Sequence, residues 1–240
     1  MRIGTWNLDH ARPQRHDAER LRLMNQANAD IWVLTETNDR LALPGYAAIH
    51  SAPRRGGQAG GRWVTIWTRL PVRHHVAVED DHRTVAALVE SSLGDMLVFG
   101  TVLPWQMDFG DAPTAEKPRA WEEQYRVTPL QGREWARLQA QLPGAALCVA
   151  GDLNMNLGGP HYYGTSHGRA LLTGAMDAAG LVCTTAYECV PPGLLRYPAI
   201  DHILLPVTLA ERARVIAAWE GTTPEGHRLT DHSALVVQVD

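Results

Sequence analysis

The chain has 240 residues, of which 45% are hydrophobic and 20% charged, with a formal charge of −4. This balance excludes intrinsic disorder for the bulk of the chain, and the absence of any 18-residue apolar run excludes a transmembrane helix. The negative charge also argues against binding through a general basic surface, although a bound metal can supply positive charge locally.

Residues 2–8 open the chain as a predicted strand. In 17–28, Leu21, Met24 and Ala27 or Asn28 recur at three and four, which predicts a helix. The run Ile-Trp-Val-Leu within 30–35 is too short for a helix and reads as a buried strand. Residues 62–68 alternate Trp63, Thr65 and Trp67 against Val64 and Ile66, and 72–78, 84–90 and 96–102 continue a series of short strands. Residues 104–129 are polar, proline-containing and aromatic, and read as a long surface excursion. Beyond it come a helix at 131–142 stopped by Pro143-Gly144, a strand at 146–150 and a helix at 168–179 ended by Gly180. Strands at 199–205, 214–219 and 233–239 close the chain. About ten strands and three helices predict a mixed α/β architecture with helices covering packed sheets.

Cys148, Cys183 and Cys189 form no C-x-x-C pair, which fits a reduced compartment without a zinc knuckle. The opening Met-Arg-Ile-Gly-Thr-Trp-Asn-Leu has no signal-peptide pattern, so a cytoplasmic protein is expected. Only Lys117 is lysine and the other 21 basic residues are arginine, which reads mainly as compositional bias.

Five segments place acids, amides or histidines at the ends of apolar strands. They are Thr5-Trp6-Asn7-Leu8, Leu34-Thr35-Glu36-Thr37, Gly151-Asp152-Leu153-Asn154, Ile200-Asp201-His202-Ile203 and Thr230-Asp231-His232-Ser233. Polar groups at such positions are costly unless paired or metal-bound, and strand ends are where loops carry side chains into a site. Asp152 and Asn154, two apart, face one side of an extended backbone. One plausible arrangement puts Asp201 behind His232, accepting its ring N–H as an orienting carboxylate does. Each segment alone has an ordinary explanation, such as a turn acid capping backbone groups. Their conjunction in this order points to chemistry.

In that order the five segments resemble the endonuclease/exonuclease/phosphatase superfamily of metal-dependent phosphohydrolases, from Asn7 to His232. The resemblance implies a four-layer α/β sandwich, two mixed sheets face to face with helices outside and the site at one edge. Residues from both ends must then meet, so 1–240 is expected to be one domain. It implies Mg²⁺-dependent (or Mn²⁺-dependent) hydrolysis of a phosphate ester, most plausibly a nucleic-acid phosphodiester. Glu36, with Asn7 and Asp231, offers hard oxygen ligands suited to either ion. Asp152 is expected to orient and deprotonate the attacking water, with Asn154 fixing phosphate or water. Protonated His232, held by Asp201, would stabilise charge on the phosphoryl oxygens. One departure stands out: Val102 occupies the place where many members carry a histidine, and valine can donate no proton. His10 or Tyr162 is then a candidate donor.

His161 and His167 flank a tyrosine loop just after Asn154, so His167 is a candidate substrate contact. The arginine- and glycine-rich stretch 54–62 lacks the Gly-Lys-Ser/Thr end of a P-loop, yet Arg62 within it is a candidate phosphate contact. Trp105, Phe109, Trp121 and Tyr125 could stack on bases or pack the loop down. Adjacent His74 and His75 point to opposite faces and cannot share a metal easily. Two alternatives stay open: a lipid or inositol phosphate as substrate, and a catalytically impaired binding module of the same fold. No obligate protein partner is evident, and a monomer is expected.

Overall fold

The computed structural model describes residues 1–54, 57–110 and 119–240. Twelve strands are assigned among them: β1 (Arg2–Asn7), β2 (Ile31–Asn38), β3 (Ala47–His50), β4 (Gly61–Thr68), β5 (Val72–Val76), β6 (Thr84–Ser91), β7 (Gly94–Val102), β8 (Ala146–Asp152), β9 (Leu181–Cys183), β10 (Asp201–Pro206), β11 (Ala213–Trp219) and β12 (Ala234–Val239). The helices are α1 (Asp17–Ala27), α2 (Glu122–Gln141), α3 (Ser166–Ala178) and the short α4 (Val207–Ala210).

Two six-stranded sheets form, in the orders β11-β12-β1-β2-β4-β3 and β5-β6-β7-β8-β10-β9. Each has one parallel pair at its centre, β1 with β2 and β7 with β8, and antiparallel pairs around it. Central strands with both faces buried need near-continuous apolar runs, which 31–34 and 147–150 supply. Ile3, Val33 and Ile66 of the first sheet meet Val85, Val98 and Ile203 of the second in an inner core. Outside the first sheet, Met24 of α1 packs among Trp6, Trp32 and Leu34. Outside the second, Trp135 of α2 and Leu172 of α3 cover Phe99 and Val149. Helix, sheet, sheet, helix is the four-layer α/β sandwich expected from the motifs.

The structure corrects the sequence reading in several places. Helix α2 starts at Glu122, not at 131, and carries Pro129 inside it. Proline there removes one helical N–H bond, but Gln124, Val127, Thr128, Gln131, Trp135 and Leu138 form a buried face that holds the helix through it. The excursion therefore shortens to the segment before Glu122. Its residues 111–118, with Lys117, lie outside the described residues, as do Arg55 and Gly56 of the arginine-glycine stretch. Strands β3 and β9 are too short to show a period. Strand β2 runs on to Asn38, so Glu36 sits within it at a left-handed φ of 50°.

Registry sets the site. Asn7 lies beside Thr35 on the parallel pair β1–β2, and Asp152 faces Asp201 across β8–β10. Both sheets thus end their polar residues at one edge of the sandwich. Gly151, at φ 135°, lets β8 approach β7 there, where a Cβ would collide with the Thr101 carbonyl.

Candidate active site

The site has a buried half and a half-exposed one. In the buried half, Asp152 is 2% and Asp201 1% exposed. His232 Nδ1 lies 2.6 Å from Asp201 Oδ2, the separation of an N–H donating to a carboxylate. Its Nε2 lies 4.0 Å from Asp152 Oδ2. Trp6 Nε1 donates to the His232 carbonyl at 3.2 Å and fixes the backbone that carries the ring. Asp152 accepts from Asn7 Nδ2 at 3.0 Å and from the Asn154 backbone N–H at 2.9 Å.

Burial works against the His232 cation, yet Asp201, Asp152 and Asp231 outweigh it and hold the imidazolium up to about 10. Burial pushes the Asp152 carboxyl up to about 7; the His232 charge opposes this, and nearby Asp201 and Glu36 add to it. At neutral pH the result is a protonated histidine beside a carboxyl poised to exchange a proton.

In the half-exposed part, Glu36 Oε1 accepts from Asn7 Nδ2 at 3.3 Å, and Glu36 Oε2 lies 2.7 Å from His10 Nε2. Burial raises the Glu36 carboxyl, but hydrogen bonds and charge from His10, together with Asn7, hold it below its ordinary value. Ligand atoms of Asp9, His10 and Glu36 lie within 4.8 Å of one another. Two carboxylates and one imidazole make an oxygen-rich donor set that fits Mg²⁺ or Mn²⁺. Arg54 Nη1 lies 2.7 Å from the His10 ring, and its guanidinium covers Trp63 at 3.9 Å. Asp9, His10, Glu36 and Asn154 all have left-handed φ between 47° and 56°, a conformation that costs non-glycine residues about 1–3 kcal/mol each.

A cleft of about 360 Å³ joins the two halves, lined by Glu36, Asp152, Asn154, Asp231 and His232, with Tyr162 at its rim. Other expected residues lie differently. The Asn7 side chain turns its Nδ2 to Glu36 and Asp152, while its Oδ1 accepts the Asp9 N–H at 2.9 Å. In this arrangement Asn7 bridges two carboxylates as a donor, and its oxygen already accepts one hydrogen bond. Asp231 is 57% exposed, 3.4 Å from Arg228, and belongs to neither tight cluster. Asn154 Nδ2 donates to the Leu103 carbonyl at 2.9 Å. Arg62 points away from the cleft and grips Asp39 through two nitrogens, at 2.9 and 2.7 Å. His167 packs edge-on against Tyr125 at 4.6 Å, on α3 outside the cleft. Both were expected at the substrate, but chain proximity to a motif does not fix side-chain direction. Val102 lines the cleft at 3% exposure.

Sequence reasoning missed the supports. Asp9 is one, hidden beside the stronger Asn7. Arg20 is another: its fully buried guanidinium binds Asp17 and the carbonyls of Arg12, Pro13 and Leu229. It thereby ties α1 to the segments leading to His10 and His232. The available signal was an arginine four residues before Met24, on the helix face that should be apolar. Buried His202 is a third, its Nε2 2.9 Å from the Met155 carbonyl and its Nδ1 3.1 Å from Thr185 Oγ1.

Comparison with known proteins identifies the family and the fold. The model of the endonuclease/exonuclease/phosphatase family matches residues 4–232, and the chain belongs to that family. Among curated proteins, the RNA-directed DNA polymerase from mobile element jockey of Drosophila melanogaster is 30% identical over 110 residues. That stretch is 43% of this chain and 12% of the relative, so the chain spans only a small part of the relative's length. Among solved structures, the AP endonuclease LMAP from Leishmania major superposes with a TM-score of 0.70 at 15% identity, covering 100% of this chain and 87% of that one. A variant of the 3' phosphatase NExo from Neisseria, bound to a product DNA hairpin, gives 0.68 at 20% identity, covering 100% and 99%. No helix among the described residues is long and apolar enough to cross a membrane.

Proposed function

We propose that the chain is a divalent-metal-dependent hydrolase that cleaves nucleic-acid phosphodiesters by in-line attack of water. The observation that carries this reading is the convergence, across 225 residues of chain, of Asn7, Glu36, Asp152, Asp201 and His232 on one cleft, with Asn7 bridging Glu36 and Asp152. Membership in the family supports phosphoester hydrolysis, and the names of the similar structures, endonuclease and phosphatase acting on DNA, support a nucleic-acid substrate.

Glu36, with Asp9 and His10 beside it, would hold the cation, which when bound neutralises the phosphate and polarises its oxygens. Asp152 aligns the attacking water and takes its proton, a task suited to a carboxyl near neutrality. Asn7 holds Asp152 in place through the 3.0 Å bond and keeps it coupled to Glu36. Asp201 fixes the His232 ring so that Nε2–H points into the cleft, where it stabilises charge growing on the phosphoryl oxygens. With Val102 unable to donate, a proton for a departing oxygen has to come from elsewhere, and His232 is a charged donor lining the same cleft.

The test is hydrolysis of labelled DNA and RNA by purified protein. Activity should vanish with EDTA, return with Mg²⁺ or Mn²⁺, and be lost in Asp152→Asn. Full activity in EDTA would overturn the metal role, and hydrolysis of lipid head-group esters alone would overturn the substrate.

A further inference from the structure

The walls of the catalytic cleft hold an unexpected balance of groups. Trp63, Trp105, Tyr162, Tyr163 and Tyr197 line it, while no arginine or lysine does among the described residues. Its charged lining is acidic apart from His232. Apart from the cation proposed at Glu36, a lining of this kind offers phosphates little neutralisation. It can hold a nucleic acid by stacking, because every base presents a π face.

Two of those rings form a built platform. Tyr162 and Tyr197 stack with centroids 4.9 Å apart and planes 13° from parallel, and they remain 54% and 45% exposed. Arg196 also covers Tyr197, at 5.1 Å, so the open face of the stack is that of Tyr162. The platform is fixed to the catalytic segment. Fully buried Asn156, two residues after Asn154, accepts the backbone N–H of Tyr162 and of Tyr163 at 3.1 and 2.9 Å. Its Nδ2 donates to the carbonyls of Gly158 and Pro160, and Arg169 of α3 binds Asn156 Oδ1 and the Tyr163 carbonyl. An exposed ring whose backbone is anchored in this way, and which already stacks on Tyr197, loses little entropy when a third ring joins it.

We propose that the Tyr162–Tyr197 stack receives an unpaired base of a nucleotide next to the scissile phosphate, so that the enzyme selects single-stranded or frayed nucleic acid over an intact duplex. In a duplex the π faces are already covered by neighbouring base pairs, and an acidic cleft offers little to its backbone. The inference rests on the nucleic-acid reading above and narrows its substrate.

The experiment uses the whole chain with Mg²⁺ and a fluorescent 12-nucleotide DNA, single-stranded or annealed, with a control set in which one nucleotide beside the main cut is an abasic spacer. The single strand should be cut at least tenfold faster than the duplex. Tyr162→Ala should raise KM for the single strand about tenfold, with kcat less affected, and Tyr162→Phe should restore it. The abasic spacer should weaken cutting by the wild type to a similar degree and have little further effect on Tyr162→Ala. Equal cutting of duplex and single strand, or a Tyr162→Ala enzyme with unchanged KM, would overturn the stacking proposal while leaving the nuclease reading intact. If the wild type cuts none of these strands yet hydrolyses bis-p-nitrophenyl phosphate, the nucleic-acid reading fails and the stacking proposal with it.

Discussion

The two halves of the cleft are built from similar residues and behave differently. On one side Asp152 and Asp201 are buried and the His232 side chain is 14% exposed, with its imidazole ring between the two carboxylates. On the other, Asp9, His10 and Glu36 are only partly buried, and two carboxylates face a single imidazole. In the proposed reading the first half handles protons. The second, where Arg54 also approaches His10, offers the oxygen donors proposed to hold a cation. Desolvation acts on both carboxyls, but at Asp152 it prevails, whereas at Glu36 the contacts with His10 and Asn7 outweigh it.

Changes to the buried half should have the largest effects. Asp152→Asn should lower kcat about 10³-fold or more with the thermal midpoint close to wild type, measured by single-turnover cleavage and calorimetry. A variant within tenfold of wild type would remove Asp152 from the role of base.

His232→Gln should cost about 10²–10³-fold and change the pH profile. With Asp152 as base, the wild-type rate should rise with pH through about 7 as that carboxyl ionises. It should fall through about 10 as His232 loses its proton. His232→Gln should lose the alkaline limb and shift the acid limb to higher pH, because the charge that opposes the rise of Asp152 is gone. Stability follows the same sign. The folded pKa of His232 is raised above 6.5, so its contribution is complete below that pH and is lost as pH rises through about 10. Urea melts of wild type and His232→Gln should therefore differ most near pH 6 and converge above pH 10.

In the half-exposed region, Glu36→Gln should weaken Mn²⁺ binding about tenfold or more, read by calorimetry or by the Mn²⁺ resonance signal. Undiminished binding would place the cation elsewhere. Arg20→Ala should cost about 2–3 kcal/mol by urea unfolding, since Asp17 and the carbonyls of Arg12, Pro13 and Leu229, the last of them buried, lose their donor. Its activity loss should track the loosening of the loops that carry His10 and His232. Arg62→Ala, at a residue that grips Asp39, should change activity less than about twofold; a large loss would return Arg62 to the substrate.

The strand-end motifs were readable because each pairs an apolar run with a polar residue, and both features are local. Glu36, Asp152, Asp201 and His232 stand out in this way from the order of residues alone. Val102 does too, since a missing donor is visible as a letter. Asp9 and Arg20 do not: one stands beside a stronger motif residue, and the other is a charge on a helix face expected to be apolar. Pro129 misled for a related reason, because a proline that would break an isolated helix is tolerated when six side chains of that helix are packed into the core.

What the chain by itself determined is the set of chemical groups and most of the strands, since hydrophobic periodicity is local; the packing of two sheets with the site at one edge was expected from the resemblance to a known family. What only the tertiary structure decided is the direction and setting of each group. It turned the Asn7 amide nitrogen toward two acids, left Asp231 in solvent, sent Arg62 to Asp39 and stacked Tyr162 on a tyrosine 35 residues away. Spacing along a backbone fixes the face on which a residue starts, whereas long-range packing and desolvation fix where its polar atoms end.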